Sequence, residues 1–72
     1  MDPNAILEDI ENAMQASDVP NAMNLCAGLR VWLAADGFKP SWQDYPSAYS
    51  FYTLWLNYVN LTEAVQALKT QV

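Results

Sequence analysis

Trp42-Gln43-Asp44-Tyr45-Pro46-Ser47-Ala48-Tyr49-Ser50-Phe51-Tyr52-Thr53-Leu54-Trp55-Leu56-Asn57-Tyr58 holds seven of the nine aromatic residues in this 72-residue chain. Phe38 lies just before it, and Trp32 is the ninth. A buried ring removes about 150–250 Å² from water. The stretch is therefore expected to supply much of any core, with Tyr49, Tyr52, Trp55 and Leu56 turned inward.

From Ser47 to Val72 there is neither glycine nor proline. Two apolar stripes run through this segment at helical spacing. One comprises Tyr45, Ala48, Tyr49, Tyr52, Leu56 and Val59; the other comprises Phe51, Trp55, Tyr58, Leu61, Val65, Leu68 and Val72. A single helix over about 46–70 produces this pattern. Asn60 followed three residues later by Glu63 is also a capping-box pattern, which would divide the segment into two helices near Asn60.

Upstream, Asp44 before Tyr45-Pro46 reads as the start of that helix, and residues 37–45 read as a loop. Asp36-Gly37-Phe38-Lys39-Pro40 stops the preceding helix. Gly37 is expected to take the left-handed conformation that closes a helix, and Pro40 prevents continuation.

The helix ending there is predicted over about 20–36. Ala22, Leu25, Cys26, Leu29, Trp32 and Leu33 fall on one face, which meets the core. Met23, Ala27, Val31 and Ala34 make a second apolar stripe on the opposite side. A helix apolar on two sides is covered on two sides. Either it is the middle layer of the fold, or the second stripe meets another molecule. Gly28 costs about 1 kcal/mol against alanine inside a helix; either a neighbour approaches it closely or the cost is tolerated.

A first helix is predicted over about 3–16. Asp2 before Pro3 is a helix start, and Ile6, Leu7, Ile10, Ala13 and Met14 form its inner stripe. Ser17-Asp18-Val19-Pro20 ends it and starts the next. The connection is short, so the two helices are expected to be antiparallel neighbours. No hairpin turn or sustained β-branched alternation signals a strand. The predicted fold is all-α, one domain forming a small antiparallel bundle of three helices, or four with a break near Asn60.

The segment Leu29-x-x-Trp32-Leu33-x-x-x-Gly37-Phe38-x-Pro40 resembles a pattern in short uncharacterised open reading frames of bacteria and their phages. The resemblance covers about a sixth of the chain and implies no activity.

Composition narrows the function. Eight carboxylates stand against Arg30, Lys39 and Lys69, a net charge of −5. Phosphate binding needs cations gathered on one face, so direct nucleic-acid binding is not expected. Met1-Asp2-Pro3-Asn4 is not a signal peptide, and no apolar run approaches the roughly 18 residues of a membrane span. The expectation is a cytoplasmic protein that does not engage the membrane. One cysteine and no histidine rule out an intramolecular disulfide and a Cys/His zinc site.

Catalytic chemistry is equally sparse. Cys26 lies on the inner face with no histidine to activate it, and Asp18, Asp36 and Asp44 sit at helix boundaries. The chain is read as a non-enzyme with no catalytic, cofactor-binding or metal-ligating residues and no cofactor. A chain this short without staples gains stability by self-association. The expected function is a protein-interaction module that dimerises, or binds a protein partner, through apolar helix surface. Met23, Ala27, Val31, Ala34, Trp42 and Tyr45 are the candidate surface. The alternative is an acidic decoy of the phage type that occupies a partner's nucleic-acid-binding site, with Asp2, Glu8, Asp9 and Glu11 and some of Asp18, Asp36 and Asp44 on one face. A third reading is a small-ligand pocket lined by Trp42, Tyr45 and Tyr49.

Overall fold

The computed structural model describes residues 2–70. Among them are three α-helices and no strand: α1 (Pro3–Gln15), α2 (Val19–Ala34) and α3 (Pro46–Thr70), with a short 3-10 turn at Trp42–Asp44 before α3.

Local chemistry sets the ends of α1 and α2. Asp2 accepts a hydrogen bond from the Asn4 N–H at 3.0 Å, and Asp18 accepts one from the Asn21 N–H at 3.3 Å. Each carboxylate satisfies one of the four N–H groups that a helix start leaves free. Pro3 and Pro20 occupy first-turn positions, where a missing donor costs nothing.

Both helices finish in the same double hydrogen bond. Ser17 and Asp18 donate to the carbonyls of Met14 and Ala13 at 3.0 and 2.8 Å, and Asp36 and Gly37 donate to those of Leu33 and Trp32 at 3.2 and 3.0 Å. The left-handed residue of each closure is not a glycine: it is Ser17 (φ 57°) in the first and Asp36 (φ 62°) in the second. Gly37 thus does not take the left-handed role expected of it. Its small size serves a different purpose: a Cβ there would lie 2.5 Å from Cδ2 of Trp32, so the indole can lie against the backbone only where no side chain intervenes.

The core is aliphatic and centred on α1 and α2. Leu7, Ile10, Ala13, Ala22, Cys26 and Leu29 are buried, and α3 adds Ala48 and Tyr52. Tyr52 is the only buried aromatic among the described residues; Trp32, Trp42, Tyr45, Phe51 and Trp55 pack half-buried around the edge of the core. The aromatic segment therefore flanks the core instead of filling it. Tyr49, expected inside, is 46% exposed. Leu7, Ile10 and Leu29 fill the space between α1 and α2, where compact aliphatic side chains interdigitate at close packing.

α3 runs unbroken through Asn60, so the four-helix alternative does not hold. A break would free N–H and C=O groups on both sides, and a capping box satisfies only two of them. The Thr62 hydroxyl donates back to the Tyr58 carbonyl at 2.8 Å, consistent with a helix passing straight through this point. The start of α3 is capped from a distance. The Ala48 N–H donates to Oε2 of Glu11 on α1 at 3.3 Å, a role expected of Asp44, which lies in the 3-10 turn instead. The Ser41 N–H donates to Oδ1 of Asn4 at 2.8 Å and ties the connecting loop to the start of α1.

With 25 residues α3 is about 37 Å long, against about 20 and 24 Å for α1 and α2. The excess projects. Every residue from Asn60 to Thr70 is exposed, and the molecule extends 44 Å along its longest axis and 18 Å along its shortest. One ion pair ties this half of α3 back to the body, Arg30 to Glu63 at 3.3 Å.

Candidate functional site

The six residues expected to form one surface fall into two groups. Met23, Ala27, Val31 and Ala34 are all exposed along the outer side of α2, with Val31 at 69%. Among the described residues only Met23 of this stripe borders another element, the groove against α3, and the rest of the stripe stays in water, so α2 is not a middle layer. Gly28, beside them, does not admit a neighbour: a Cβ at that position would meet nothing within 4 Å.

Trp42 and Tyr45 lie elsewhere, half-buried against the core. The Trp42 ring sits 5.2 Å from that of Tyr49 at 62° and 5.5 Å from that of Tyr52 at 33°. These separations suit edge-on and offset aromatic contacts. Trp42 thus packs on Tyr49 and Tyr52, while Tyr45 is in neither ring pair. Trp42 also borders an open recess with Leu33, Asp36, Gly37 and Lys39, away from the α2 stripe.

An apolar recess joins Met23 of the candidate surface to five residues that the surface omitted. Val19 and Met23 of α2 and Phe51, Leu54, Trp55 and Tyr58 of α3 line a groove of about 380 Å³. It is open and carries no charged side chain. From its α3 wall the apolar surface continues outward along the projecting half of the helix: Leu54, Tyr58, Leu61, Val65 and Leu68 are 70, 62, 66, 41 and 63% exposed. Val72, on the same stripe in the sequence, lies outside the described residues. Two signals in the sequence could have found this surface: the length of α3 against the other helices, and the alternating four-three spacing of these five residues once Leu54 heads the row.

Charge is distributed unevenly around this surface. Glu63 and Lys69 are the only charged residues of α3, so the helix is neutral and the whole net charge of −5 resides in the rest of the chain. Asp2, Asp18 and Glu11 are engaged at the starts of α1, α2 and α3.

Cys26 is fully buried, and burial pushes its thiol up to about 11. At neutral pH it is therefore protonated, and a protonated, enclosed thiol is a poor nucleophile. Tyr52 beside it is also raised, chiefly by burial and further by Cys26, with Arg30 opposing. Among the described residues no three Cys, Asp or Glu side chains gather in a way that would hold a metal ion, and no helix is long and apolar enough to cross a membrane.

No family model matches the chain, and comparison with curated proteins and with solved structures returns no match.

Proposed function

We propose that this protein is a protein-interaction module that self-associates through apolar helix surface. One observation carries the reading: the row of large apolar side chains from Leu54 to Leu68 stands in water on α3, continuous with the groove that Val19 and Met23 border on α2. Large contiguous apolar patches are uncommon on monomers and mark contact surfaces. A chain of this size without disulfide or metal also gains most from burial that a second molecule supplies. The reading takes α1 and α2 as an antiparallel pair, which their three-residue connection supports. It places the protein in the cytoplasm, where a single free thiol stays reduced.

An acidic decoy needs its carboxylates displayed together. Three of the residues it would present, Asp2, Glu11 and Asp18, are committed to helix starts, and this weighs for the interaction module.

Light scattering coupled to size exclusion, run from low to high micromolar concentration, tests the proposal. The expected result is a mass that rises to twice that of the chain. A mass that stays at one chain throughout overturns it.

A further inference from the structure

We infer that the exposed face of α3 from Leu54 to Leu68 is the seam of a parallel, two-stranded coiled coil formed with a second copy of this chain. The inference rests on the self-association proposed above and names its surface, its geometry and its partner.

Spacing is the first argument. Leu54, Tyr58, Leu61, Val65 and Leu68 follow one another at intervals of four, three, four and three, and Val72 continues the series in the sequence. That period of 3.5 residues keeps a seam facing a partner helix as the two supercoil. In heptad terms Leu54, Leu61 and Leu68 occupy the d positions, and Tyr58 and Val65 occupy a. Leucine at d with a β-branched residue at a favours two parallel strands, and Val65 meets that rule while Tyr58 is an aromatic at the other a position.

The second argument is orientation. Ala48 and Tyr52 are buried against the body, and Leu56 and Val59 lie half-buried on the same side. At 100° per residue, the centre of the seam lies about 155° round the helix from the centre of that side. Glu63, which pairs with Arg30, is on the body side too. A two-fold axis along the seam therefore places the two α1–α2 bodies outward, on opposite sides, with no need to rearrange either.

Energetics point the same way. The stretch from Asn60 to Thr70 makes a single side-chain bond to another element among the described residues, and it contains Thr62, Val65 and Thr70, which are modest helix formers. Isolated helices shorter than about 12–15 residues are marginal in water. A partner strand supplies what the body does not. The five seam residues are 41–70% exposed on each copy, so pairing two copies removes large apolar side chains of both from water, as a specific interface requires.

Charge selects the partner. The positions flanking the seam include Asn57, Thr62 and Ala64, with Lys69 the single charge near its end. Coiled coils between different chains are commonly specified by opposite charges at such positions, and here there are almost none to read. An identical neutral helix docks without like-charge repulsion, while the acidic remainder of each chain stays outside the contact.

The full chain is compared by light scattering with a Leu61→Glu/Leu68→Glu double variant and with Val31→Glu on the outer side of α2. Near-ultraviolet circular dichroism of the tryptophans reports whether the body remains folded. The expected result is a dimer for the parent chain and for Val31→Glu, and a folded monomer for the double variant. A dimer that survives the double substitution but is lost in Val31→Glu overturns the coiled coil and leaves self-association standing. A parent chain that is monomeric throughout overturns both. Orientation is read from Leu68→Cys under mild oxidation. Parallel strands bring the two copies of residue 68 together and give a covalent dimer, whereas Gln66→Cys, off the seam, does not. The buried Cys26 of the parent chain provides the background. Loss of the dimer in the double variant without cross-linking at residue 68 overturns the parallel arrangement.

Discussion

Trp32 lays its indole across the place where a side chain on Gly37 would stand. The ring is held there from two directions: its N–H donates to the Phe38 carbonyl at 3.0 Å, and the Phe38 ring meets it edge-on at 5.4 Å and 87°. Gly37→Ala places a methyl 2.5 Å from Cδ2 of that ring and forces it out. Because Gly37 is not at positive φ, backbone preference adds nothing to the cost. The expected loss is about 1–3 kcal/mol in urea unfolding, typical of overpacking, and the fluorescence of Trp32 shifts to the red.

Gly28→Ala has the opposite sign. The added methyl meets open space, and alanine is favoured over glycine inside a helix by about 1 kcal/mol. Thermal unfolding should move upward by a few degrees. A decrease would show that a neighbour does approach Gly28.

The aliphatic centre should outweigh the aromatic segment in energy. Leu29→Ala removes a fully buried side chain between α1 and α2, and such truncations cost about 2–5 kcal/mol. Tyr49→Ala removes a ring that is 46% exposed, and the expected cost is about 1 kcal/mol, chiefly its contact with Trp42. Paired urea titrations order the two; a Tyr49 cost equal to that of Leu29 would contradict the placement of the core.

Glu11→Ala tests the cap that reaches α3 from α1. Removing the carboxylate leaves the part-buried Ala48 N–H without its partner, a loss of about 0.5–2 kcal/mol by comparison with other helix caps. Amide exchange at Ala48 should accelerate. Asp44→Ala, which removes no such bond, should leave that exchange unchanged.

Alkaline pH should unfold the protein through Cys26 and Tyr52. Both are neutral when protonated, and burial raises both above their unfolded values, for Cys26 from 9.0 to about 11. Stability is therefore fully present below pH 9 and is lost as pH rises toward 11, by up to about 1.4 kcal/mol per pH unit for the thiol. Urea midpoints measured from pH 7 to 11 should be flat and then fall; in Cys26→Ala the fall should begin later.

The starts of α1 and α2 were legible because they are local. Asp2-Pro3 and Asp18-Val19-Pro20 act over two or three residues through one carboxylate and one missing donor, and such interactions are written out in the sequence. The inner stripes of α1 and α2 were legible for a related reason, since helical period alone brings Leu7 with Ile10 and Cys26 with Leu29. The cap on α3 was not, because Glu11 and Ala48 are 37 residues apart and nothing local joins them.

The sequence by itself thus determined that the chain is helical and how the first two helices begin; that α3 runs unbroken through Asn60, giving three helices and not four, came from the structure. Tertiary structure alone decided which apolar faces were covered. The two stripes of α3 are equally apolar as sequence, but α1 and α2 are too short to lie along all of it and dock against the side carrying Ala48 and Tyr52. Burial depends on where the other helices lie, and this long-range fact left the row from Leu54 to Leu68 in water, where it can meet a second chain.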